Sequence, residues 1–64
     1  MIVNGETFNL KDSITLKDFL TLQGYDITKV AVEKNGDIVP KATFSEVFLY
    51  DEDTIEVVRF VGGG

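Results

Sequence analysis

The sequence predicts an α+β domain, a sheet of four to five strands packed on one helix. Three observations predict it. Asn4-Gly5 and Asn35-Gly36 each stand between strand-like segments, and Asn-Gly is the favoured centre of a two-residue hairpin. Between these turns Leu16, Phe19 and Leu20 follow helical spacing. The closing segment, Thr54 to Val61, alternates with period 2. Sixty-four residues hold one such domain and no second core, so we expect a folded body over residues 1–61 and a flexible glycine tail over 62–64.

The first hairpin joins Ile2-Val3 to a second strand, in which Phe8 and Leu10 alternate with Thr7 and Asn9 as on a half-buried strand. Thr15 is placed to cap the helix, and Asp18, three residues on, puts a carboxylate near the positive helix end. Ile14 and Phe19 occupy the two positions of a hydrophobic staple, and Gly24 suits the left-handed residue that ends a helix. Lys29 to Lys34 reads as a third strand with Val30 and Val32 on one face. Asn35-Gly36 returns the chain through Ile38-Val39. Pro40 has no N–H to give a ladder and confines that fourth strand to a short edge.

Thr43-Phe44-Ser45-Glu46 has a capping-box pattern for a single helical turn. Asp51-Glu52-Asp53 reads as a solvated acidic turn, since Ca²⁺ needs more oxygen ligands in a defined loop. In the last strand Ile55 and Val57 share one face, Val58 and Phe60 the other. One helix covers only one face of such a sheet, so the second is expected to meet solvent or a partner. With the first and last strands as neighbours, that patch combines Val3, Val58 and Phe60.

Composition excludes whole classes of function. The chain has no cysteine and no histidine, which removes disulfides, thiol nucleophiles and Cys/His zinc sites. Ser13 and Ser45 therefore have no histidine to activate them. The eleven carboxylates are scattered over expected surface positions, and no glycine-rich loop opens a helix to cradle phosphate. Intrinsic catalysis, a bound cofactor and a bound metal are not expected. Six basic against eleven acidic residues give a net charge of −5, which argues against nucleic acid or an anionic membrane as the main partner. The longest apolar run, Val47 to Tyr50, is far short of a membrane span, and no basic segment leads an apolar stretch at the start. A soluble, cytoplasmic domain is the expectation.

Gly62-Gly63-Gly64 follows directly on a strand, and glycines are the residues that lose most backbone freedom on ordering. With Val61 they form an arm of roughly 13 Å if extended, with no side chain to obstruct a narrow channel. Composition alone leaves two readings open, a frayed end or linker and a working arm that presents the Gly64 carboxylate inside another protein.

Taken together, these segments resemble the ThiS family of sulfur carriers, which have the ubiquitin-like β-grasp fold, a mixed sheet on one helix. The resemblance rests on Ile2-Val3-Asn4-Gly5, on Thr15 to Leu20, on Val30 to Pro40, and on Ile55 to Gly64 with its final glycine pair. Two positions depart from the family pattern: Glu52 stands where members commonly carry glycine, and Phe44 where many carry tryptophan. Neither touches the tail. The resemblance implies that a ThiF-like adenylating enzyme uses ATP to activate the Gly64 carboxylate as an acyl-adenylate. Sulfur from a cysteine desulfurase route then displaces AMP to leave a thiocarboxylate, which thiazole synthase consumes. It also implies that Gly62 and Gly63 thread the partners' channels while Val58 and Phe60 dock, and that the acidic body favours a basic partner surface. Fold and tail alone also admit a carrier for molybdopterin or another sulfur pathway, a ubiquitin-like modifier joined to lysines through Gly64, and a passive binding module.

Overall fold

A computed structural model describes residues 1–60. The chain order is β1 (Ile2–Val3), β2 (Glu6–Thr7), β3 (Ile14–Thr15), α1 (Leu16–Leu22), β4 (Val30–Lys34), β5 (Asp37–Ile38), β6 (Phe48–Leu49) and β7 (Thr54–Arg59). Short 3-10 turns occupy Ile27–Lys29 and Lys41–Thr43. Five strands form one sheet in the order β2-β1-β7-β4-β5, and β3 pairs with β6 in a separate two-stranded ladder. β1 runs parallel to β7, and every other neighbouring pair is antiparallel. The sheet is thus mixed, with the last strand at its centre.

Both Asn-Gly turns form as expected. Asn4 and Gly5 have φ of 49° and 83°, Asn35 and Gly36 have φ of 52° and 88°, the paired positive values that match the twist of a two-residue hairpin. The helix is also where its caps place it. The Thr15 hydroxyl accepts the Asp18 N–H at 3.2 Å. At the other end Tyr25 N–H bonds Leu20 C=O and Gly24 N–H bonds Thr21 C=O, with Gly24 at φ 83°. That double bond pattern closes the last turn around a left-handed residue.

The stripe of Leu16, Phe19 and Leu20 buries against Val30 and Val32 of β4, Ile55 and Val57 of β7, and Val3 of β1. Met1, Phe44 and Leu49 complete the core. Each fully buried side chain of this kind contributes about 1.5–3 kcal/mol from its removal from water. Phe8 meets Phe19 edge to face, ring centroids 5.5 Å apart. No helix among the described residues is long and apolar enough to cross a membrane.

Four expectations are corrected. The second strand stops at Thr7, because Phe8 N–H makes one last bond to Met1 C=O and the chain then leaves the sheet, with Phe8 and Leu10 half-buried. The turn expected at Thr43 does close, Glu46 and Val47 N–H both bonding Thr43 C=O, but it continues a 3-10 turn begun at Lys41, and the Thr43 hydroxyl donates back to Pro40 C=O instead of capping forward. The acidic turn is not wholly solvated, since Asp53 is buried. Finally, Val3 lies in the core, not on the open face. Its register partner is Ile55, which points at the helix, so Ile2 opposite Thr54 is the residue that looks outward. Glu52 takes no positive φ, so the turn that carries it needs no glycine. The expected boundary after Val61 and the tail Gly62–Gly64 lie outside the described residues.

Candidate functional site

The face of the sheet turned away from α1 is open. Alternation along β7 puts Ile55 and Val57 into the core and leaves Glu56 and Val58 outside, with Phe60 continuing the outer row just past the strand. Val58 and Phe60 are each 55% exposed. Register carries the same face across the sheet. Ala31 stands opposite Val58, Glu33 opposite Glu56, and Ile38 of the edge strand opposite Glu33. Ile38 is 77% exposed, and Ile2 adds a further half-exposed side chain on β1. The sequence identified Val58 and Phe60; it missed Ile2 and Ile38, whose strands are too short for alternation to show which side is covered.

Phe60 is fixed where the chain leaves the sheet. Its N–H bonds Lys29 C=O at 2.9 Å, one step beyond the last register pair. The Lys41 ammonium stands 5.3 Å from the Phe60 ring centroid while bonding Thr28 C=O at 2.8 Å. On the opposite side, the Arg59 guanidinium lies 4.6 Å from the centroid of Tyr25. An open recess of about 270 Å³ lies here, lined by Gly24, Asp26, Lys29, Val30, Arg59 and Phe60. Lys29, Lys41 and Arg59, three of the six basic residues, thus gather around Phe60, the last described residue, on a chain whose net charge is −5. Asp26 faces them with its carboxyl held below the usual 3.8, first by the Thr28 hydroxyl and N–H, then by Lys29 and Lys41.

At the far end of β7, Asp53 is the buried anchor of the acidic turn. Its carboxylate accepts the Tyr50 N–H at 2.8 Å and the Asn35 side-chain amide at 3.0 Å, with the Lys34 ammonium 3.7 Å away. Burial pushes its pKa up, but these donors and the cation outweigh burial and hold it below 3.8. Among the described residues no three carboxylates converge to hold a metal ion. The chemistry available to the open face is recognition: apolar side chains, a carboxylate pair and a cationic margin.

A mixed sheet with parallel first and last strands, closed over one helix, defines a ubiquitin-like β-grasp domain. The model of the ThiS family matches residues 1–64. The chain belongs to the ThiS family. It is 44% identical over 54 residues to the sulfur carrier protein ThiS of Bacillus subtilis, covering 84% of this chain and 82% of that one. It is also 44% identical over 64 residues to a thiazole synthase of Paramagnetospirillum magneticum, covering all of this chain and 20% of that protein. The chain spans about a fifth of the length of the thiazole synthases it matches. Among solved structures it is similar to the crystal structure of the thiamine biosynthesis protein ThiS from Geobacter metallireducens. The TM-score is 0.77 at 30% identity, over 98% of this chain and 96% of that one.

Proposed function

We propose that this chain is a cytoplasmic sulfur carrier of thiamine biosynthesis and that the Gly64 carboxylate is the carrying group. The observation that carries the reading is the family match running through the final glycines, residues 1–64. A carboxylate resists nucleophiles until one of its oxygens becomes a leaving group. A ThiF-like adenylating enzyme supplies that change: a Gly64 oxygen attacks the α-phosphorus of ATP and pyrophosphate leaves. A persulfide formed along a cysteine desulfurase route then attacks the acyl carbon through its terminal sulfur and expels AMP. A thiol cleaves the resulting acyl disulfide, leaving with the carrier of the persulfide as a disulfide. The resulting thiocarboxylate passes its sulfur to thiazole synthase. ATP is used by the partner, and the carrier itself holds no cofactor. Having no cysteine, the chain offers no competing thiol.

In this reading the folded body is a handle. Val58 and Phe60 dock, while Gly62 and Gly63 carry Gly64 through a channel that any side chain would obstruct. The test is intact mass after incubation with ATP, the adenylating enzyme and a sulfur source. A gain equal to the exchange of one oxygen for sulfur is expected, and it should vanish in Gly63→Val although the domain still folds. Unchanged mass with every component present overturns the reading. Attachment of the chain to lysines of other proteins would reassign it as a modifier.

A further inference from the structure

One pair of residues breaks a rule that the rest of the sheet obeys. Glu33 of β4 and Glu56 of β7 are direct register partners on the open face, both exposed. Side chains so opposed have Cβ atoms about 5 Å apart, where like charges destabilise a sheet. The ion pairs among the described residues are Met1–Asp51 and Lys34–Asp53, and neither reaches these glutamates. Lys34 is next to Glu33 in sequence but stands opposite Ile55, on the helix side, and is drawn to Asp53. On one side of the two carboxylates the face is apolar, while on the other Thr54, exposed, precedes Glu56 in the same outward row. Val58 and Ala31 form the next cross-strand pair, and Ile38 flanks Glu33 on the edge strand.

We propose that this face receives a protein partner presenting an arginine among apolar side chains, the guanidinium lodging between Glu33 and Glu56 while its neighbours cover Val58 and Ile38. Two carboxylates on adjacent strands suit a planar fork of five donors, which is less strongly hydrated than an ammonium. Val58, Ala31 and Ile38, covered by the partner, limit screening of the contact on that side. A net charge of −5 opposes both a second copy of the chain and an anionic membrane as occupant. The like-charge pair costs the free domain stability and gives it back on docking. Taking the partner to be the adenylating enzyme rests on the reading above.

The test uses the full chain with Glu33→Gln, Glu56→Gln, the double variant, and Glu33→Lys, which converts the repulsive pair into an attractive one. Thermal unfolding of the carrier alone is compared with KM and kcat for ATP–pyrophosphate exchange by a ThiF-like enzyme, at low and high salt. All variants should melt at or above the wild-type temperature. In the double variant KM should rise about tenfold or more with kcat at saturation retained, the loss expected of a charge-assisted contact. Salt should raise the wild-type KM and leave that of the double variant nearly unchanged. Wild-type exchange together with an unaltered KM in the double variant overturns this proposal alone. Absence of any exchange by wild type overturns the carrier reading and the proposal with it. Self-association of the wild type that Glu33→Lys abolishes would assign the face to a second copy and overturn it as well.

Discussion

The Asn4 side chain is bound to both backbone polar groups of Val57: its oxygen accepts the Val57 N–H at 2.8 Å and its amide donates to Val57 C=O at 3.2 Å. The side chain thereby takes the place of one more residue of β1 and lengthens a parallel ladder whose strand is only two residues long. Asn35 repeats the device at the other hairpin. Its side chain accepts the Thr54 N–H and donates to Asp53, while its own N–H bonds Thr54 C=O. Each Asn-Gly turn is therefore both a reversal and a clamp on the last strand, which carries the exposed Val58.

The clamp at Asn4 can be separated from the turn. Asn4→Gly keeps a residue at ease with a φ of 49° and removes the two bonds to Val57, adding only glycine's greater backbone freedom in the unfolded chain. Two hydrogen bonds of ordinary net worth predict a loss of about 1–2 kcal/mol in urea unfolding. An unchanged midpoint would mean that water replaces the amide without cost.

Acid sensitivity follows from Asp53. Burial raises its pKa, but Asn35, the Tyr50 N–H and Lys34 together lower it by more, so the folded value lies below the ordinary 3.8. A carboxyl with a depressed folded pKa adds stability above its unfolded value, and loses it as pH falls through the folded value. Asp51 acts in the same direction, lowered by the Leu10 N–H and then by the Met1 amino group. The melting temperature should stay flat from pH 7 to about 5 and fall below about 4. Asp53→Asn should lower it at pH 7 and make the acid decline shallower; an equal decline in the variant would remove Asp53 from the account.

The fold was legible where one residue type has one physical use. Asn-Gly announced both hairpins through its tolerance of positive φ, and Thr15 and Gly24 marked the helix because caps are local. Period 2 in Thr54 to Phe60 separated the core from the open face correctly, since six strand residues sample it three times. β1, β3 and β6 have two residues each, too few to show a period, so which of Ile2 and Val3 faces the core depends on register with β7. Nor could the sequence pair Glu33 with Glu56. That juxtaposition comes from a register set 23 positions apart. The role of Asp53 was hidden for the same reason: its partners Asn35 and Lys34 are brought to it by the sheet.

Register makes a sharp distinction between neighbours in β1. Val3 is 5% exposed beside Ile55, whereas Ile2 is 43% exposed on the open face. Val3→Ala should cost about 2 kcal/mol through lost burial and the cavity left behind. Ile2→Ala should cost well under about 1 kcal/mol, as surface changes usually do. Chemical denaturation of the two variants side by side checks the assignment, and a reversed order would place Ile2 inside.

Phe60 offers the corresponding test just past β7, where stability and recognition separate. Its ring is 55% exposed and meets the Lys41 ammonium at 5.3 Å, so truncation removes little buried area and one exposed cation–π contact. Such a contact contributes about 0.5–1 kcal/mol, which bounds the expected loss in folding stability. An aromatic anchor buried by a partner carries more, about 2 kcal/mol or above when removed. Phe60→Ala should therefore weaken binding to the adenylating enzyme by about thirtyfold while the unfolding midpoint moves little. Titration calorimetry against that enzyme, paired with urea unfolding, measures both. A large fall in stability with unaltered binding would reassign Phe60 to the packing of the domain and leave Val58 as the apolar contact on β7.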